Sequence, residues 1–210
     1  LIIYNTSNTT SVALKEKNLE EIVSKVDERF LILSDEVYSD ISFVKTKSIL
    51  EFNGDNALVK SFSKTFAMTG WRIGYLVTSE ELAEKIVKLN LMSVTNVPVF
   101  IQEAALKALE LRVQIAERMR EEYRRRADAA CGFLSKTRLR FARPDAPFYI
   151  FPKYDNLDSE RFALDLLEEG VAVTPGTAFG DYREHFRIAL TLPEQEISRG
   201  LDIICRGIEE

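Results

Sequence analysis

Short apolar runs closed by turn residues alternate with stretches whose apolar positions recur at helical spacing, and this alternation predicts an α/β chain. Leu1-Ile2-Ile3-Tyr4, followed by Asn5-Thr6-Ser7-Asn8-Thr9-Thr10-Ser11, reads as a buried strand that runs into a loop. Over residues 17–29, Leu19, Ile22, Val23 and Val26 fall on one face of a helix. The continuous run Phe30-Leu31-Ile32-Leu33 predicts a parallel strand covered on both faces, and the order strand, helix, strand predicts a right-handed βαβ unit. Ser34-Asp35-Glu36-Val37-Tyr38 then stands at a strand end, where open α/β sheets put ligands.

Residues 41–56 read as an irregular connection with a turn at Asn53-Gly54-Asp55, after which Ala57-Leu58-Val59-Lys60 is a strand and 71–77 another. Helices are predicted over 79–93, 99–111 and 113–134, the last long and charged. From Arg138 the pattern changes to short elements of an α+β kind. These are a strand over 147–152, a helix over 159–169, a strand over 171–174, a loop over 175–180, a strand over 186–190 and a closing helix over 193–208.

The chain has 210 residues, 46% hydrophobic and 29% charged, enough for one large domain or two small ones. A net charge of -5 argues against nucleic acid or an anionic membrane as the principal partner. The run from Arg118 to Arg126 alternates basic and acidic residues, as on a solvated helix. Cys131 and Cys205 fit no metal or redox spacing and read as small buried residues in a reducing compartment. The single histidine, His185, rules against histidine triads and multi-histidine metal sites, so no metal is expected, and its acidic setting predicts a surface position. No window approaches the roughly 18 apolar residues of a membrane span. The N-terminus also lacks a basic region ahead of an apolar core, so the cytoplasm is the default compartment.

The chemistry gathers at Ser61-Phe62-Ser63-Lys64-Thr65-Phe66, where one lysine lies between small hydroxyl residues directly after a strand. Ala67-Met68-Thr69-Gly70-Trp71-Arg72-Ile73-Gly74-Tyr75 returns an arginine eight residues later. A lysine and an arginine near two serines suit an anionic cofactor that carries a carbonyl. Lysine is a nucleophile toward an aldehyde, and hydroxyls with a forked guanidinium grip a dianionic phosphate.

These segments resemble the lysine region of class I/II aminotransferases, fold-type-I enzymes that use pyridoxal 5'-phosphate (PLP). The resemblance implies that Lys64 forms the internal aldimine and that Ser61, Ser63 and Arg72 hold the phosphate. Asp35 and Tyr38 match the family's D-x-x-Y: the carboxylate would keep the pyridine nitrogen protonated, making the ring an electron sink, and the phenol would donate to the ring oxygen. Glu36 reads as a structural acid or as one that supports the site from behind its neighbours. Asn5-Thr6-Ser7-Asn8-Thr9-Thr10-Ser11 is an altered N-P-x-N-P-T-G, with threonine for both prolines and serine for glycine, which loosens the loop. Asn8 would hydrogen-bond the ring oxygen; otherwise it is a loop asparagine serving local backbone. Arg187, within Phe186-Arg187-Ile188-Ala189-Leu190, would bind the substrate α-carboxylate bidentately; otherwise it snorkels from a strand edge. Likewise Arg72, if not a phosphate ligand, is a surface strand arginine. Pro175-Gly176-Thr177-Ala178-Phe179-Gly180 carries the family's P-G-x-x-F-G, whereas Asp145-Ala146-Pro147 stands where the family has glycine near the substrate.

The resemblance implies a partial PLP-transferase large domain, a mostly parallel sheet with helices, over 1–111. It adds a linking helix over 112–137 and a small α+β domain over 138–210. It matches only the C-terminal half of a typical member, and the chain opens directly into a strand, so a preceding segment is expected to have been removed or lost. That segment would bring the ring that stacks on the pyridine and, from the other subunit of a homodimer, a tyrosine to the phosphate. Two function classes stay open. One is a PLP-dependent aminotransferase, or the C-terminal part of one, that transfers an amino group between an amino acid and a 2-oxo acid through Lys64. The other is a non-catalytic truncated relative that self-associates and keeps weak ligand binding.

Overall fold

A computed structural model describes residues 1–27 and 29–209, which form two compact units, 1–6 with 13–119 and 7–12 with 120–210. In the first unit β1 (Ile2–Tyr4), β2 (Ile32–Asp35), β3 (Asn56–Ser61) and β4 (Gly74–Val77) make one sheet in that order, the first three parallel and the fourth antiparallel. Helix α1 (Glu16–Lys25) buries Leu19 against Ile3, Ile32, Ile49 and Leu58, with Ile22, Val23 and Val26 packed alongside, the face that the spacing predicts.

The helix predicted to Arg29 ends at Lys25, because Val26 turns extended at φ -79 and ψ 127; Glu28 lies outside the described residues. The strand predicted from Phe30 starts at Ile32. Phe30 donates its N–H to the Asp27 carbonyl and closes a turn, which leaves its ring exposed. Two 3-10 turns, Ser39–Ile41 and Ile49–Glu51, organise the connection to β3. Glu36 is the structural acid of that connection: its buried carboxylate accepts from Ser34 Oγ, Ser48 Oγ and the Ile49 N–H at 3.1, 3.2 and 2.8 Å.

Helix α2 (Phe62–Thr65) follows β3 directly, with Ser61 as its N-cap. The strand predicted from Trp71 begins only at Gly74, since Thr69–Trp71 is a 3-10 turn and Arg72 is left-handed at φ 53. Gly74 lies opposite Ser61, and a Cβ there would stand 2.6 Å from the Lys60 carbonyl oxygen. Helices α3 (Glu80–Ser93) and α4 (Val99–Glu110) bury only Ala105 among their described residues. Val87, Leu89, Leu91, Met92, Val99 and Phe100 are all exposed.

The long helix α5 (Arg112–Leu134) appears as its charge pattern predicts, and its last turns bury Ala127, Ala130, Cys131 and Leu134 in the second unit. There β5 (Tyr149–Ile150), helix α6 (Ser159–Glu168), β6 (Thr174–Pro175), β7 (Phe186–Ala189) and helix α7 (Glu194–Glu209) follow, with the strands in the antiparallel order β5, β7, β6. The predicted strand over 147–152 shrinks to two residues because Phe148 takes φ 88. The one over 171–174 moves to Thr174 because the Val171 N–H closes the end of α6 on the Leu166 carbonyl at 2.8 Å. Phe162 packs on Phe186 with centroids 5.1 Å apart, and Leu166, Ile188, Leu190, Ile197, Leu201 and Ile204 complete the core.

Neither cysteine is in a disulfide; Cys131 is buried, which pushes its thiol up, but Cys205 is only half-buried. His185 is not the surface residue its acidic neighbours suggest. Glu184 is held by Lys153 at 2.8 Å, which leaves the imidazole to stack on Phe151 at 5.0 Å. Its Nδ1 is buried without a hydrogen-bond partner, and burial lowers its pKa.

Candidate active site

In a parallel sheet the carboxyl ends of neighbouring strands point the same way, so chemistry placed there converges. Asp35 ends β2 and Ser61 ends the adjacent β3, with Asp35 and Val59 paired in register. Lys64 follows within α2, half-buried, its Nζ 5.9 Å from the centroid of the buried Tyr38 ring. Ser61 Oγ accepts from the Ser63 N–H at 3.1 Å and so caps the turn that carries the lysine. Asp35 Oδ1 accepts from the Val37 N–H at 3.2 Å, while its backbone carbonyl holds the Asn5 N–H at 3.0 Å. Arg72 is exposed, and its guanidinium donates to the Thr69 carbonyl at 2.9 Å; among the described residues no hydrogen bond joins it to Ser61.

Beside these groups lies a charged cluster that sequence spacing does not announce. Lys60 donates to Ser39 Oγ and to Asp40 Oδ1, the latter at 3.1 Å, and Arg112 reaches the same Asp40 oxygen at 2.8 Å. Burial pushes the Asp40 carboxyl up, but the two cations outweigh it and hold it below the usual carboxylate value. The Asp40 carboxylate in turn raises the Arg112 guanidinium, and burial raises the Tyr75 phenol across the β3–β4 register from Lys60.

Asn8 and Arg187 belong to the second unit and meet there: Arg187 Nη1 donates to the Asn8 carbonyl at 3.3 Å. The Arg187 guanidinium lies 4.0 Å from the Tyr149 ring centroid and 4.6 Å from that of Phe179, which fixes its plane. Neither ring stands out in the sequence except by its place, Tyr149 between two prolines and Phe179 in the P-G-x-x-F-G loop. In that loop Gly176 donates its N–H to the His185 carbonyl at 2.8 Å, and any Cβ would collide with the Tyr182 carbonyl.

The altered loop after β1 is more ordered than its lost prolines imply. Ser11 takes the left-handed conformation, φ 53, that a glycine would favour. Its N–H reaches the Ser7 carbonyl at 2.9 Å, and its carbonyl accepts from the Asp145 and Ala146 N–H groups at 2.8 and 3.1 Å. The two segments that depart from the resemblance thus hydrogen-bond to each other.

Among the described residues no cluster of histidine, cysteine or carboxylate side chains could hold a metal, and no helix is long and apolar enough to cross a membrane. The family model for aminotransferase class I and II matches residues 1–204. The chain is 37% identical to aromatic-amino-acid aminotransferase 2 of Thermococcus litoralis, with 100% of this chain and 57% of that protein covered. It is 39% identical to an aspartate aminotransferase of Pyrococcus abyssi, with the same shares covered. A crystal structure of an aromatic aminotransferase from Pyrococcus horikoshii superposes with a TM-score of 0.93 at 35% identity, over 99% of this chain and 59% of that one. The chain thus spans a little over half the length of the relatives it matches.

Proposed function

Because this chain belongs to the class I and II aminotransferases, we propose that it provides the lysine-bearing part of a PLP-dependent enzyme that moves an amino group between an amino acid and a 2-oxo acid. The observation that carries this reading is the half-buried Lys64 amine held 5.9 Å from the Tyr38 ring, at the ends of adjacent parallel strands.

The donor set fits the cofactor: two hydroxyls and a guanidinium suit a phosphate, an amine suits an aldehyde, and a carboxylate suits a protonated ring nitrogen. When bound, PLP supplies a ring that withdraws electrons from the substrate α-carbon. Lys64 is the nucleophilic amine, and its Nζ carries the proton to and from that carbon. In the first unit Asp35 would hold the ring nitrogen, Tyr38 the ring oxygen, and Ser61, Ser63 and Arg72 the phosphate; the role the resemblance gives Asn8, a hydrogen bond to the ring oxygen, would fall to a residue of the second unit. Arg187 takes the α-carboxylate, its fork pre-set by Tyr149 and Phe179. The relatives are named for aromatic amino acids and for aspartate, and an α-carboxylate is what those substrates share.

In this reading residues 1–111, apart from the 7–12 loop that groups with the second unit, are the cofactor-binding domain, 112–137 the linking helix and 138–210 the small domain. The exposed apolar side chains of α3 and α4 favour a homodimer, and two cysteines that form no disulfide favour the cytoplasm. The test is borohydride reduction of the chain after incubation with PLP, followed by mass spectrometry. A pyridoxyl adduct confined to Lys64 and lost in Lys64→Ala is expected; scattered labelling equal in that variant would reject the reading.

A further inference from the structure

The geometry points to Lys60, Asp40 and Arg112 as a positioning clamp that holds the Tyr38 turn against the strand end bearing Lys64. Lys60 lies on β3 immediately before Ser61 and four residues before Lys64. Its ammonium reaches across to Ser39 and Asp40, the two residues that follow Tyr38. Ser39 Oγ also donates to the Glu36 carbonyl at 3.0 Å, so the ammonium engages a turn already closed on itself. Arg112, at the start of α5, fastens the same carboxylate from a third element.

The Lys60 and Asp40 side chains are only 11% and 12% exposed. Ion pairs taken this far out of water are weak evidence for stability, and specifying geometry is their better-attested use. Here the geometry specified is the approach of the Tyr38 ring to Lys64 Nζ. An ammonium at that distance from an aromatic face is partly covered by it and shielded from reagents in solvent. Loosening the clamp therefore frees the Lys64 amine and makes it more reactive.

This inference rests on reading Lys64 as the cofactor lysine, but its test uses no cofactor. Lys64 in the 210-residue chain is modified with trinitrobenzenesulfonate at one mildly alkaline pH. Its rate is followed by peptide mass spectrometry against the exposed Lys25. Lys60→Met and Arg112→Met should each speed modification of Lys64 by about threefold, the scale of a lost cation–π contact; Lys60→Arg should match wild type. A plain field effect predicts the opposite sign, since removing a neighbouring cation raises an amine's pKa and slows it. Slower or unchanged modification would overturn the clamp. So would an equal acceleration in Asn56→Ala, which loosens the start of β3 through its bonds to the Ile49 and Phe52 carbonyls at 3.3 and 3.1 Å. Arg112 is half-exposed, so Arg112→Met decides the matter if Lys60→Met does not fold. Loss of borohydride capture with the clamp response intact would reject the proposed function and leave the clamp standing.

Discussion

Helices α3 and α7 both carry apolar residues at helical spacing, yet they end in different surroundings. In α7, Ile197, Leu201 and Ile204 are 7%, 2% and 1% exposed; in α3, Val87, Leu89 and Leu91 are 56%, 64% and 56% exposed. The second unit closes a core around Phe186, whereas β4 is exposed along its whole length and α3 and α4 are barely covered. Periodicity reports that a helix has an apolar face, and only tertiary structure reports whether anything covers it.

The sharpest way to break this comparison is to truncate one side chain in each region. Phe186→Ala should destabilise the second unit by about 3–5 kcal/mol in a denaturant titration. Leu91→Ala should stay within about 0.5 kcal/mol of wild type. Equal losses would mean that α3 is packed in solution.

A second way is to make the open face polar. Val87→Glu with Leu91→Lys places an i,i+4 ion pair on α3. It should shift sedimentation toward a slower species if that face joins two copies, and an unchanged boundary would remove the homodimer from the reading.

The smallest effect belongs to His185. Burial depresses its pKa in the fold, with Lys153 adding to the depression and Glu184 opposing it. The unfolded chain therefore binds the proton first as pH falls. Its contribution to stability is present above the unfolded value of about 6.5 and is lost as pH drops toward the folded value. Melting temperature followed over about pH 5–8 should show this loss in wild type and not in His185→Phe.

Much of the first unit was legible, because short-range signals governed it. The apolar face of α1, the strand ends at Asp35 and Ser61 and the turn at Gly54 are local patterns that the structure keeps. Strand starts were harder: β2 and β4 begin two and three residues later than the apolar runs suggest. Turns at Asp27 and Arg72 redirect the backbone there, and side-chain hydrophobicity does not encode them. The setting of His185 is not legible locally, because its acidic neighbour Glu184 is neutralised by Lys153, 31 residues before that glutamate. The clamp was illegible for the same reason, since Lys60 finds Asp40 at a separation of 20 residues and Arg112 finds it at 72.

Gly74 and Gly176 sit where a second backbone segment passes too close for any Cβ, against the carbonyls of Lys60 and Tyr182. Their identity is imposed by the crossing of main chains and not by the chemistry beside them. A descendant that drifted until Lys64, Asp35 and Arg187 were gone would still need glycine at both places, so these two positions record the inheritance of the fold and not the survival of its activity.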